Sequence, residues 1–149
     1  MSEAASPVKY ADLVMAWLSE LGYTHCFFVA GGNIMHLLES CSQRLTCIPT
    51  VHEVAAGIAA EYFNELHLGQ KAFALVTAGP GLTNIVTALA GAYLESRELL
   101  VIGGQVKTSD LARGLPGQSK VRQRGIQEID GVAIAAPITE KSMLIDNVV

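Results

Sequence analysis

Hydrophobic positions along the chain follow helical spacing in some stretches and form short continuous runs in others. Between Pro7 and Leu21, apolar residues recur every three or four positions, which predicts an amphipathic helix ended by Gly22. The predicted buried face of this helix consists of Val8, Leu13, Val14, Trp17, Leu18 and Leu21. Mainly apolar runs at 26–30, 45–51, 73–77 and 99–102 predict buried strands.

Helical patterns separate these strands. Asn33 is a candidate N-cap for the first of these helices. Positions 54–63 form the second helix, for which Gly69 is the stop signal. The third has an apolar side made of Ile85, Val86, Leu89 and Tyr93. Continuous apolar strands that alternate with helices predict a three-layer, doubly wound, mostly parallel α/β sheet with helices on both faces.

Composition narrows the function classes. The 149 residues fit one domain, 50% are hydrophobic and 16% are charged, and the net charge of -4 gives no reason to expect nucleic acid or an anionic membrane as partner. The first ten residues carry no signal-peptide pattern, and no apolar stretch is long enough to span a membrane. Cys26, Cys41 and Cys47 form no CxxC pair, which indicates reduced, mostly buried thiols in a cytoplasmic protein.

Glu53 is the first candidate for chemistry. It lies between the strand at 45–51 and a helix with almost no polar face, beside Val54, Ala55 and Ala56. A carboxyl group removed from water there favours its protonated form and can donate a hydrogen bond near neutral pH. The alternative is an exposed glutamate in the first turn of a helix, where the helix dipole favours it.

Three loops fall at the carboxyl ends of predicted strands, at 31–33, 78–84 and 103–105, and Glu53 follows another strand. Ligands of parallel α/β sheets collect at this edge, so we expect these segments to share one rim. The stretch TAGPGLTN at 77–84 is neither a P-loop nor a GxGxxG fingerprint. By itself it indicates a rigid strand-to-helix turn or a close approach of backbone to a ligand.

No metal ligand is predicted. His52 is adjacent to Glu53, but neighbouring residues diverge on a helix and position 56 is Ala, so no HExxH spacing exists. The segment 111–125 carries Arg113, Lys120, Arg122 and Arg124 with no acidic residue among them. It is either a solvated loop or a site for an anionic group.

Together these elements resemble the N-terminal, pyrimidine-binding domain of thiamine diphosphate enzymes of the acetolactate synthase and pyruvate oxidase group. The similar stretches occur in the family's order: FFVAGGN (27–33), HE (52–53), TAGPGLTNIVTALAGAYLES (77–96), LLVIGGQV (99–106), and IQEIDG followed by APITEKS (126–142). The chain departs from the family at Ala30, where Pro is frequent, and at Ile126, where acetolactate synthases commonly have Phe.

The resemblance assigns roles by position. Glu53 matches the catalytic glutamate that hydrogen-bonds the ring nitrogen of the cofactor's aminopyrimidine and favours its imino tautomer. That tautomer removes the proton from the thiazolium carbon, and the cofactor carries the carbanion chemistry. The other matched cofactor-binding positions are Gly31, Gly32 and Asn33 on the thiazolium and substrate side, Thr77, Pro80 and Asn84 around the pyrimidine, and Gln127 in the family's FQE element.

The resemblance also implies partners. It implies an enzyme acting on pyruvate or another 2-oxo acid, with the diphosphate and Mg²⁺ bound by a second domain of a partner chain in a homodimer or homotetramer. That domain's Gly-Asp-Gly motif does not occur here, so we expect 1–149 to be a pyrimidine-binding piece of a longer enzyme. The alternatives are a 2-oxo acid decarboxylase or carboligase of sugar or polysaccharide metabolism, and a non-catalytic subunit of a split enzyme.

Overall fold

The computed structural model describes residues 7–111 and 122–146. Its strands are Tyr23–Phe28 (β1), Thr46–Pro49 (β2), Lys71–Val76 (β3) and Leu100–Gly103 (β4). Its α-helices are Tyr10–Glu20 (α1), Met35–Ser42 (α2), Glu53–Leu66 (α3), Pro80–Asn84 (α4), Val86–Leu94 (α5) and Gly131–Ala135 (α6). All strand pairs are parallel, and the order across the sheet is β2-β1-β3-β4. The predicted α/β fold is therefore confirmed.

The direction of the strand order reverses between β1 and β3. The chain leaves β1 through α2 to the edge strand β2, and α3 then carries it back across β1 to β3 on the other side. A parallel sheet has its ligand crevice at such a reversal, outside the carboxyl ends of the strands. The loops that follow β1 and β3 are the ones that flank this crevice.

Helices cover both faces of the sheet, as the continuous apolar strands require. One face packs against α1 and α2 around a core formed by Met15, Leu18, Tyr23, Cys26, Ile34, Cys41, Phe73 and Leu75. The other face packs against α3 and α5 around a core of small and branched residues: Ala56, Ala60, Ala72, Ala74, Val76, Ile85, Ala88 and Leu89. The small residues bring α3 close to the sheet, and this fixes the position of its first residue, Glu53.

The predicted buried face of α1 is largely wrong. The residues that are buried are Ala11, Met15 and Leu18, whereas Val8, Leu13, Trp17 and Leu21 are exposed. Apolar residues lie on two sides of this helix, so periodicity did not distinguish the side that meets the core. Tyr93 on α5 is also exposed, although Ile85 and Leu89 of its predicted side are buried. In the described part of the chain, no helix has the length and hydrophobicity needed to cross a bilayer.

The three cysteines are free thiols, and Cys26 and Cys41 are completely buried. A hydrogen bond to Cys26, together with burial, raises the pKa of Cys41. Burial, with a hydrogen bond to Cys41, raises the pKa of Cys47 to about 12. Cys41 and Cys47 are therefore protonated at neutral pH.

Candidate functional site

Glu53 is the first residue of α3, and its side chain is buried, with 8% of the residue exposed. The helix begins here because His52 is its N-cap, and His52 Nδ1 accepts a hydrogen bond from the Val54 N–H at 3.2 Å. The carboxyl group is thus held at the carboxyl edge of the sheet, immediately after β2. The alternative of a solvent-exposed first-turn glutamate is wrong.

Asn84 is the hydrogen-bond partner of this carboxyl group. Its Nδ2 donates to Glu53 Oε2 at 3.0 Å. Asn84 ends α4, a single turn that starts at Pro80, where proline is well placed because no intrahelical N–H is required of it. Within residues 7–111 and 122–146, no other hydrogen bond to the Glu53 carboxyl is present, so Oε1 is available to a ligand.

Gly81 lies beside the Glu53 carboxyl group. A β-carbon at this position would lie 3.6 Å from Glu53 Oε1 and 3.0 Å from Thr77 Cγ2. Glycine therefore keeps the space beside Oε1 free while the α4 backbone approaches the carboxyl group closely.

Thr77 follows β3 and faces the loop after β1. A β-carbon on Gly31 would overlap the Thr77 side chain, lying 2.5 Å from Oγ1. Thr77 Oγ1 is buried and has no hydrogen-bond partner among the described residues. A buried hydroxyl without a partner costs about 1–3 kcal/mol, so it marks a position where a ligand atom would stabilise the domain.

Gln127 lies against the turn before α4. Gly79 has a φ of +61°, and a β-carbon there would overlap the Gln127 carbonyl oxygen. Gln127 itself has a φ of +58°, a conformation that costs a non-glycine residue about 1–2 kcal/mol. Glycine at 79 therefore allows the segment 122–129 to pack on the TAGPGLTN turn.

The segment 122–129 and Pro80 line an open cleft of about 620 Å³. Glu128 organises its wall, because Glu128 Oε2 accepts hydrogen bonds from the backbone N–H groups of Arg124 and Gly125 at 3.3 and 3.1 Å. Pro80 and Gln127 are exposed in this cleft, whereas the buried Glu53 does not line it. Most of the basic segment 111–125 is outside the described residues, and Arg122 and Arg124 are exposed.

Asn33 does not cap a helix as predicted. A turn of 3₁₀-helix, Gly32–Ile34, precedes α2, and the residue before α2 is Ile34. The Asn33 side chain instead donates through Nδ2 to the Gln105 carbonyl oxygen at 3.4 Å, which ties the loop after β1 to the loop after β4. Gly32 is exposed, with open space where a β-carbon would be.

The structure therefore places the eight predicted positions in loops and helical turns at one edge of the sheet, and six of them form three pairs. Glu53 and Asn84 are hydrogen-bonded, Gly31 contacts Thr77, and Pro80 shares the cleft with Gln127. Gly104 was not among the predicted site residues, although a β-carbon there would lie 2.8 Å from the Asn33 carbonyl oxygen. The sequence did indicate its position, because the loop 103–105 was expected at this edge of the sheet.

A buried carboxyl group hydrogen-bonded at the carboxyl edge of a doubly wound sheet is typical of α/β domains that bind small molecules. The family model for the thiamine pyrophosphate enzyme N-terminal TPP binding domain matches residues 8–134. The chain belongs to this family.

Curated relatives agree with this membership. The chain is 35% identical over 136 residues to the acetolactate synthase large subunit of Lactococcus lactis, which covers 90% of this chain and 22% of that protein. It is 33% identical over 138 residues to 2-hydroxyacyl-CoA lyase 2 of Danio rerio, covering 92% of this chain and 20% of the relative. The chain spans about a fifth of the length of these relatives.

Proposed function

We propose that this domain binds the aminopyrimidine of thiamine diphosphate in an enzyme that acts on pyruvate or a related 2-oxo acid. The observation that carries the proposal is the buried Glu53 carboxyl, held by Asn84 at the carboxyl edge of the sheet. Similarity to the acetolactate synthase large subunits of Lactococcus lactis and Buchnera aphidicola supports this substrate class.

The residues present fit an aminopyrimidine. Glu53 Oε1 offers one hydrogen-bonding atom to a ring nitrogen, and Thr77 Oγ1 is a second polar atom that lacks a partner in the described structure. Gly81 leaves room beside the carboxyl group, and the preceding residue, Pro80, adds an exposed apolar surface. A flat ring with polar edges matches this combination of convergent polar atoms and apolar surface.

The chain's own contribution is to position a carboxyl group for the cofactor. The Asn84 amide donates to Oε2, which orients the carboxyl plane and leaves Oε1 for contact with a ligand. Burial at the start of α3 limits access of water to the carboxyl group. In the assembled enzyme, this carboxyl group would share a proton with the ring nitrogen of the aminopyrimidine. Thiamine diphosphate, when bound, would supply the carbon nucleophile for the carbonyl group of the substrate.

The remaining positions are proposed to shape the surroundings of this contact. Gly31, Gly32 and Asn33 form the side toward the thiazolium and substrate, and Gln127 covers the turn before α4. The strained backbone at Gln127 supports a functional role, since strain of this kind clusters at binding sites.

Further parts of the enzyme complete the site in this proposal. A diphosphate-binding domain of a partner chain would hold Mg²⁺ and the diphosphate, in a homodimer or homotetramer. Magnesium prefers oxygen ligands, which carboxylates of a separate domain and the diphosphate of the cofactor would provide. The three free thiols support a cytoplasmic location.

A second candidate activity is a lyase acting on 2-hydroxyacyl-CoA. The observation that favours it is the similarity to 2-hydroxyacyl-CoA lyase 2 of Danio rerio and Bos taurus, at 33% and 34% identity. Both activities would use the same Glu53 contact, so assays of the assembled enzyme with pyruvate and with a 2-hydroxyacyl-CoA distinguish them.

Saturation-transfer NMR of thiamine diphosphate with this chain tests the binding proposal. We expect stronger transfer to the aminopyrimidine protons than to the thiazolium protons, and loss of that preference in Glu53→Ala. Glu65→Ala is the matched control, because Glu65 is an exposed glutamate of the same helix. Equal transfer in both variants would contradict a contact between Glu53 and the pyrimidine.

A further inference from the structure

The fold brings together all three cysteines of the chain on the face opposite α3. Cys26 lies on β1, Cys41 on α2 and Cys47 on β2, and their sulfur atoms all lie within 4.8 Å of one another. The sulfurs of Cys41 and Cys47 are 3.3 Å apart. We call these three side chains the thiol cluster.

The surroundings of the thiol cluster are apolar. Cys26 and Cys41 belong to a buried core with Met15, Ile34 and Leu75, and the hydrogen bonds given for the three sulfurs go to one another or to backbone carbonyl oxygens. The single O–H of the nearby buried Ser40 is already shared between Asp12 Oδ1 and the His36 carbonyl oxygen. An ion bound here must therefore be soft enough for sulfur and must leave little net charge.

Charge distinguishes the candidate ions. A monovalent ion on three thiolates would leave two net negative charges in the core, and a divalent ion would leave one. A trivalent ion on three thiolates leaves none. Zinc sites usually have four ligands, and the cluster offers three.

We propose that the thiol cluster is a binding site for a trivalent thiophilic ion of the arsenic(III) type. As(OH)₃ and three protein thiols give As(SR)₃ and three waters: three As–S bonds form, three As–O bonds break, and each thiol proton leaves on a released hydroxide. No electrons are transferred, so no oxidant or reductant is required.

The geometry needs only small adjustments. Bonds of about 2.3 Å from three sulfurs to one ion, at pyramidal to planar angles, place the sulfurs roughly 3.4–4.0 Å apart. The Cys41–Cys47 separation of 3.3 Å, and the 4.8 Å within which all three sulfurs lie, are compatible with this range. Cys47 is only partly buried and lies on the edge strand β2, which gives the reagent access to the first thiol.

Native mass spectrometry of the reduced chain with arsenite is the first test. We expect one arsenic per folded chain with loss of three protons, and X-ray absorption should give three sulfur neighbours. Two sulfur neighbours, or no adduct, would overturn the proposal. A three-sulfur Cu(I) complex in a chain that does not bind arsenite would overturn it as well.

Variants then test the contribution of each thiol. Once one thiol has bound arsenic, the other two As–S bonds form within the same molecule and add strongly to the affinity. Removing one thiol by Cys26→Ala, Cys41→Ala or Cys47→Ala should therefore weaken arsenite binding roughly 10²-fold. Ser42→Ala, an exposed change on α2, should leave it unchanged. The wild-type chain unfolded in urea has the same three thiols but not their folded arrangement. It should bind arsenite about as weakly as the variants that each lack one cysteine. Equal affinity of the folded and unfolded chains would overturn a preformed site, even where a variant fails to fold.

Discussion

Gly57 on α3 sets how closely this helix packs against α5, and replacing it by alanine gives a quantitative test of the packing. A β-carbon at Gly57 would overlap the Ala88 β-carbon and lie 3.2 Å from Ile85 Cγ1. Alanine favours the helical state over glycine by about 1 kcal/mol. Overpacking of a core costs about 1–3 kcal/mol. The upper part of this range applies at Gly57, because the Ala88 β-carbon cannot rotate away. We expect Gly57→Ala to lower the free energy of unfolding by about 1–2 kcal/mol.

Gly91→Ala is the matched control, because Gly91 lies in α5 with nothing within 4 Å of an added β-carbon. It should raise the free energy of unfolding by up to about 1 kcal/mol. Urea unfolding of both variants measures the difference in the free energy of unfolding. Combining Gly57→Ala with Ala88→Gly should relieve the overlap, so the double variant should show a coupling energy of about 2 kcal/mol. Equal stabilisation by Gly57→Ala and Gly91→Ala would refute the close contact between α3 and α5.

Three further predictions concern the site, the pH dependence and the isolated chain. Gly31→Ala should displace Thr77 and weaken thiamine diphosphate binding while changing far-UV circular dichroism little; unchanged binding would contradict the contact between the two loops. Burial, with the charge of Glu98 and a hydrogen bond to it, raises the pKa of Tyr23 to about 12. The neutral Tyr23 hydroxyl should therefore contribute fully to the free energy of unfolding below pH ~10, and this contribution should be lost as the pH rises to ~12. In urea unfolding measured at several pH values, Tyr23→Phe should not show this loss. This chain alone should bind thiamine diphosphate and Mg²⁺ only weakly in calorimetry, since the proposed diphosphate contacts are elsewhere; a dissociation constant below about 1 μM would contradict this division.

The sequence was sufficient to predict the sheet and the edge of the sheet at which the candidate residues lie. Continuous apolar strands that alternate with helices admit few arrangements, and parallel strands place their carboxyl ends together. Glu53 could be placed at a strand-to-helix junction, but its burial could not be decided. That depends on how closely α3 approaches α4, and hence on Gly81 and Asn84.

Features that depend on side-chain direction between distant elements were not predictable. Both sides of α1 carry apolar residues, so its periodicity favoured a face that the structure leaves exposed. Asn33 has the chemistry of a cap, yet its amide reaches the carbonyl oxygen of Gln105, 72 positions along the chain. The spacing of the cysteines likewise gave no sign that three elements direct their sulfurs to one point.

Proton–deuterium exchange at the thiazolium carbon of thiamine diphosphate tests the proposed role of Glu53 most directly. The measurement compares wild type, Glu53→Gln and the exposed-glutamate control Glu65→Gln in an enzyme assembled with the diphosphate-binding domain. A positioned acid–base group contributes about 10²–10⁴-fold, so Glu53→Gln should slow exchange within that range while part of the cofactor remains bound, and Glu65→Gln should not. Exchange in Glu53→Gln as fast as in wild type would show that Glu53 is not the activating acid.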